Sequence, residues 1–160
     1  MTLANEPNTT DVQVIWDRIT ATLKATPFAN HLGIRLVDSS NGAEVIFHLP
    51  FAQRLIGNVT LPAIHGGIVA SFMQTAALAM TFSLREDIPP KMVDFSLDFL
   101  SSAGPSDLYA QCVMHRVGKR IASLGIRCWQ GSPDAPVALG RAHLFIAQSS
   151  SDSGLLTSAQ

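Results

Sequence analysis

Apolar positions fall into three patterns along this chain, and each predicts a different element. From Asp11 the spacing Val12, Ile15, Trp16, Ile19, Leu23 is that of one helical face, which Pro27 ends. Two short extended runs follow, Ile34 to Val37 and Ala43 to Leu49, and Ser39-Ser40-Asn41-Gly42 between them has the composition of a hairpin turn. Residues 50–64 read as a loop bearing proline and glycine. An apolar run then extends from Ile68 to Leu84, interrupted by Ser71, Gln74, Thr75, Thr81 and Ser83. It predicts a buried helix from about Gly66 to Leu84 rather than a membrane span. After a break from Asp87 to Pro90, Val93, Phe95, Leu97 and Phe99 alternate with Asp94, Ser96 and Asp98, the period of a strand. Leu108 to Val117, Ile121 to Trp129 and Val137 to Ala147 predict three more strands, separated by Gly118-Lys119-Arg120 and by a turn at Gly131-Ser132-Pro133-Asp134.

The order is thus helix, two strands, one long helix, four strands. A helix apolar on most faces must be covered on most faces, and a curved sheet does that. The expectation is an α+β fold: an antiparallel sheet of about six strands wrapped around one long central helix, with an N-terminal helix. Residues 1–10 read as a flexible leader, 11–148 as a single domain and the serine-rich 149–160 as a flexible tail.

Composition narrows the function classes. Hydrophobic residues make up 47% of the 160 and charged residues only 14%, so some apolar surface is expected to be buried between subunits. A net charge of −1 supplies no basic field for nucleic acid. Cys112 and Cys128 lack the spacing of a metal site or a disulfide scaffold and read as buried free thiols. No apolar segment follows a basic start, so the chain is expected to be cytoplasmic, with no membrane partner.

The candidate chemistry starts at Ile64-His65-Gly66-Gly67. The first turn of a helix has unpaired N–H donors and the positive end of its dipole, and glycine removes the side chain that holds a ligand away. Such a turn suits a carbonyl oxygen that gains negative charge during attack. Farther along, Gly67, Ser71, Gln74, Leu78 and Thr81 fall within about 40° of one helix face. His48, His115 and His143, in strands and without visible ligand partners, read as structural.

Taken together, these residues resemble the hotdog-fold thioesterases, in particular the PaaI-like branch. The resemblance covers roughly residues 28–147 and rests on short motifs in order. His31-Leu32-Gly33-Ile34 precedes the first strand, and Leu55-Ile56-Gly57-Asn58 lies in the loop. Ile64-His65-Gly66-Gly67-Ile68-Val69-Ala70 opens the helix. Asp94 to Leu100 and the hairpin Val117-Gly118-Lys119-Arg120-Ile121-Ala122 complete the set. The resemblance implies a homodimer joined edge to edge, often paired again into a tetramer, that hydrolyses an acyl-CoA. It implies no metal and no bound cofactor beyond the coenzyme A of the substrate. A Gly66 or Gly67 amide then polarises the carbonyl, and Gly118, Lys119 and Arg120 lie near the coenzyme A phosphates. His65 is a candidate to position the loop or a water, and Asn58 to contact substrate. The family's usual Asp or Glu, nine residues after His65, is here Gln74. Glutamine is no general base near neutral pH, though it can orient a water. Asp94, Asp98, Glu44 and Asp38 are weaker substitutes. The alternative to an esterase is a hotdog protein that binds acyl-CoA without turning it over. A hotdog hydratase is set aside, because the Asp/His pair such enzymes commonly present is not found. Gly66 and Gln74 lie about 12 Å apart along the helix, so a site using both must draw them from two subunits.

Overall fold

The computed structural model describes residues 9–38, 44–84 and 88–146. The predicted turn at 39–42 lies outside them, as do residues 1–8 of the leader and everything from 147 onward.

Helix α1 spans Thr9–Ala25, and Pro27 does more than end it: the proline occupies the first turn of a second short helix, α2, Pro27–Leu32. Gly33 caps α2 at φ 75°, a left-handed position suited to glycine; its N–H donates to Asn30 O and the next N–H, of Ile34, to Ala29 O. Strands β1 (Arg35–Asp38) and β2 (Val45–Leu49) follow. The predicted loop 50–64 is more ordered than its composition suggests. It holds a 3₁₀ turn, Gln53–Leu55, and a small ribbon of β3 (Ile56–Asn58) with β4 (Ala63–Ile64). Helix α3 runs Gly66–Phe82. The last four strands are β5 (Lys91–Phe99), β6 (Leu108–Val117), β7 (Ile121–Trp129) and β8 (Pro136–Phe145).

Six of the strands form one antiparallel sheet in the order β1-β2-β6-β7-β8-β5, and α3 lies against β5 to β8 with α1 on its other side. The sheet can wrap the helix because its inner face is built from small residues. Ala110, Ala122, Ala138 and Ala142 are fully buried there, and Gly140 leaves room for Met73: a Cβ on it would stand 2.9 Å from Met73 Cε and push that methyl aside. Phe72 and Met73 of α3 fill the space so provided, each worth about 1.5–3 kcal/mol of burial. Strand β5 is left as an edge of nine residues with Val93 and Phe99 more than half exposed. Long apolar edges of this kind invite pairing with another strand.

Candidate functional site

The helix start is held from three sides. The His65 N–H donates to Leu55 O at 2.8 Å, and the Ile64 N–H donates to Ala103 O at 2.8 Å. Gly57 of β3 presses against His65 so closely that a Cβ there would meet His65 Cβ at 2.7 Å and Cα at 2.8 Å. The loop that supplies Ala103 is stapled in turn. Gln130 accepts from the Gly104 N–H and donates to Gly104 O and Ser106 O, all at 2.9 Å.

This packing separates the two glycines. His65 is the N-cap, and its Nδ1 accepts the Gly67 N–H at 2.9 Å. The Gly67 amide is therefore already spent within its own chain, contrary to the expectation that either glycine offers a bare donor. The Gly66 N–H has no acceptor among the described residues. Gly66 lines a groove of about 370 Å³, together with Val69, Phe99, Leu100 and Ala103. A Cβ at Gly66 would stand 3.1 Å from Phe99 Cζ, so the groove is narrow at that point. Because Nδ1 is an acceptor, a neutral His65 ring carries its proton on Nε2 and is a donor there, not a base.

The remaining predicted residues are placed unequally. Asn58 lies in the adjoining ribbon, where its Oδ1 accepts from the Thr60 and Leu61 N–H groups at 3.0 and 3.1 Å, an Asx turn. Gln74 sits two turns into α3, half-buried, with no side-chain hydrogen bond among the described residues. Gly118, Lys119 and Arg120 form the β6–β7 hairpin, where the Gly118 N–H donates to Ile121 O at 2.9 Å and both cations are exposed. The hairpin is at the wrong end of the sheet to meet Gly66 of its own chain. Phe99 is in register with Ala138 and Cys128, and Lys91 with Phe145 and Ile121. The two ends are separated by seven residues of β7, about 23 Å.

Among the described residues no carboxylate replaces the one missing from α3. Asp94, Ser96 and Asp98 alternate with Phe95, Leu97 and Phe99, and the second set faces α3. Asp94 lies on the outer face beside His143, Oδ2 to Nδ1 3.4 Å. Asp98 is exposed on the same face. Asp38 belongs to the opposite edge strand and Glu44 immediately precedes β2, both far from α3's start in the strand order. Among the described residues no group of three His, Cys, Asp or Glu side chains is placed to hold a metal ion. No helix among them is long and apolar enough to cross a membrane. The two thiols are buried, and desolvation pushes Cys128 up to about 12 and raises Cys112 as well, so neither is a nucleophile.

Gly57 and Phe99 belong to the motifs that carry the resemblance and the Ala103 loop to none, but no pattern within their own segments marks the part that these three play at the helix start. Their contribution is a close approach between segments far apart in sequence. His48 is structural, as its place in a strand predicts, but its hydrogen-bond partner lies far away in sequence. His48 Nε2 lies 2.8 Å from Asp107 Oδ2, and Asp107 Oδ1 accepts the Phe51 N–H at 2.8 Å. The Phe51 N–H and then the His48 ring hold the Asp107 carboxyl below the usual carboxylate range.

A family model described as the thioesterase superfamily matches residues 61–137, which contain His65, Gly66, Gln74 and the basic hairpin. Among solved structures, a protein of Chromobacterium violaceum is 34% identical over 88% of this chain and 98% of its own, with a TM-score of 0.66. The E. coli PaaI protein from the phenylacetic acid degradation operon is 20% identical over 84% of this chain and 94% of its own, TM-score 0.71. A phenylacetic acid degradation-related protein of Ralstonia eutropha JMP134 is 17% identical over 81% and 99%, TM-score 0.67. No match is found among curated proteins.

Proposed function

This chain belongs to the thioesterase superfamily and has its hotdog fold, and from that premise we propose that it hydrolyses an acyl thioester of coenzyme A in the cytoplasm. One observation carries the reading: Gly66, first in α3 and with an N–H that has no acceptor among the described residues, lines a groove of about 370 Å³. Water adds to the thioester carbonyl carbon, and the carbonyl oxygen becomes an oxyanion held by the Gly66 N–H. The C–S bond then breaks, its electron pair leaves on sulfur, and the proton released by the water reaches the thiolate through solvent. A thiol ionises near pH 8.5, so it departs without a dedicated acid. This lightens the demand on Gln74. Its amide oxygen accepts a hydrogen bond from the water and orients it without taking the proton. His65 positions the Gly66 turn, and Asn58 shapes the approach to it.

The site is shared between two copies in this proposal. Gly66 and Gln74 are about 12 Å apart on one helix, too far to meet at one carbon. Antiparallel pairing of the β5 edges sets the Phe99 end of one chain against the Lys91 end of the other. It also carries the second copy's Gly118-Lys119-Arg120 hairpin to the Gly66 end, where two cations suit coenzyme A phosphates. A homodimer is the minimal unit, and a tetramer forms from two of them. The reaction as written needs no metal and no cofactor beyond the coenzyme A of the substrate.

A second reading is non-catalytic binding of acyl-CoA. It is favoured by the absence of any Asp or Glu from α3 and by the outward placement of Asp94 and Asp98. A hydrolysis screen over short, medium, long and aromatic acyl-CoAs, read by thiol release, separates the two. Turnover that Gly66→Pro abolishes supports the esterase. Turnover surviving both Gly66→Pro and Gln74→Ala removes this site. Binding without turnover, converted to hydrolysis by Gln74→Asp, supports the second reading.

A further inference from the structure

A second cavity, of about 520 Å³, lies where α1 and α2 meet the C-terminal half of α3. Its size is that of a small-ligand site. Leu78 and Phe82 of α3 form one wall and Phe28, 47% exposed, its rim. Three threonines complete the lining, and by composition they make it polar. Their hydroxyls say otherwise. Thr22 Oγ1 donates to Arg18 O, Thr26 Oγ1 to Thr22 O and Thr75 Oγ1 to Ser71 O, each at 2.8 Å. Each hydroxyl proton is spent on a main-chain carbonyl one turn back. The remaining lining is Leu23, Ala25 and Ala79 with Pro89 and Pro90, and proline has no N–H to offer. The described lining therefore presents apolar surface and no free side-chain donor.

Its position ties it to the proposed site. Thr75 follows Gln74 in sequence, and Leu78 is one helical turn beyond Gln74 on the same stripe, about 6 Å along the axis. We propose that this cavity seats the tail of the acyl group, and that it selects medium-length aliphatic tails over acetyl and over tails ending in a hydroxyl. The inference rests on the reading of Gln74 as part of an acyl-CoA site. In the shared site the carbonyl is held at Gly66 of one chain, and the tail lies in the cavity of the chain that supplies Gln74. Each seated methylene raises affinity or kcat/KM about fourfold. A terminal hydroxyl loses its hydration, and although its O–H can donate to a threonine Oγ1, its oxygen finds no side-chain donor in the described lining, a cost of about ten- to a hundredfold.

The test uses the whole protein with acetyl-, butanoyl-, hexanoyl-, octanoyl- and 8-hydroxyoctanoyl-CoA. Both kcat/KM and equilibrium binding by calorimetry are measured. Expected are a rise with chain length and a penalty of tenfold or more for the terminal hydroxyl. Ala25→Phe narrows the cavity from an exposed position and should lower the octanoyl-to-acetyl ratio at least tenfold; Leu78→Phe, from the wall, should do the same. Hydrolysis with a flat chain-length profile, or a ratio that neither variant moves, overturns the tail site while leaving the esterase reading in place. Chain-length-graded binding without hydrolysis keeps the tail site and overturns the esterase. Hydroxyoctanoyl-CoA matching octanoyl-CoA also overturns the proposal.

Discussion

The two halves of α3 are made differently. The first turn is held by main-chain bonds and close backbone packing: His65 to Leu55, Ile64 to Ala103, Gly57 against His65. Nothing there is free to move far, and one amide is left over. The half from Gln74 to Phe82 is held by side-chain packing, its hydroxyls turned back on the helix and its outer wall borrowed from α1 and α2. Rigid main chain suits a donor that must meet a developing charge at a fixed place, because such a donor needs no reorganisation during reaction. A side-chain wall suits fit, because methylenes are added or removed there at modest cost. One continuous helix carries both properties because its start lies in loops and its end lies against another helix.

The sharpest way to break this contrast is at the donor itself. Proline is favoured at the first position of a helix, and His65, at φ −58° and ψ 128°, already has the extended backbone that a following proline requires. Gly66→Pro thus removes the N–H while keeping the helix, and kcat/KM should fall about 10²–10³-fold with circular dichroism unchanged. An equal loss in folded content would instead mark the glycine as structural. Gln74→Asp tests the other half. An ionised carboxylate beside the water should raise kcat on the order of 10², with a new acid limb in its pH profile. No change in kcat would remove Gln74 from the reacting water.

Smaller effects sharpen the same comparison. Gly57→Ala forces a methyl onto the His65 backbone and should cost about 1–3 kcal/mol in urea unfolding. Overpacking of the soft wall by Leu78→Phe should cost less, and the reverse order would undo the distinction between rigid and yielding halves. A pair outside both halves of α3 provides a control. Asp107, 44% exposed, is held below the usual carboxylate range by the Phe51 N–H and by His48. Its stabilisation is present above the unfolded value of about 3.9 and is lost as pH falls through its lower folded value. The Tm gap between the wild type and Asp107→Asn, no more than about 4 °C near neutrality, should close as pH falls below 4. The kcat profile should not follow it. The smallest effect expected is none: a disulfide thiol reagent should leave Cys112 and Cys128 unlabelled in the folded chain and label both in denaturant.

Periodicity alone determined the order of elements, the buried character of α3 and the strand over Val93 to Phe99, because these depend on spacing within a segment. It also brought out the glycine pair at the helix start. It misread Pro27 as a simple stop and residues 50–64 as plain loop, because a six-residue helix and a two-residue strand are too short to show a period. Which glycine keeps a free amide was beyond it. That depends on the rotamer of His65, whose side chain packs against Gly57 of another segment. The threonines of the cavity wall are a local matter by contrast: each proton goes to a carbonyl one turn back as soon as its helix forms. Local spacing fixes what a segment becomes, and the walls of the groove and of the cavity are assembled only when distant segments meet.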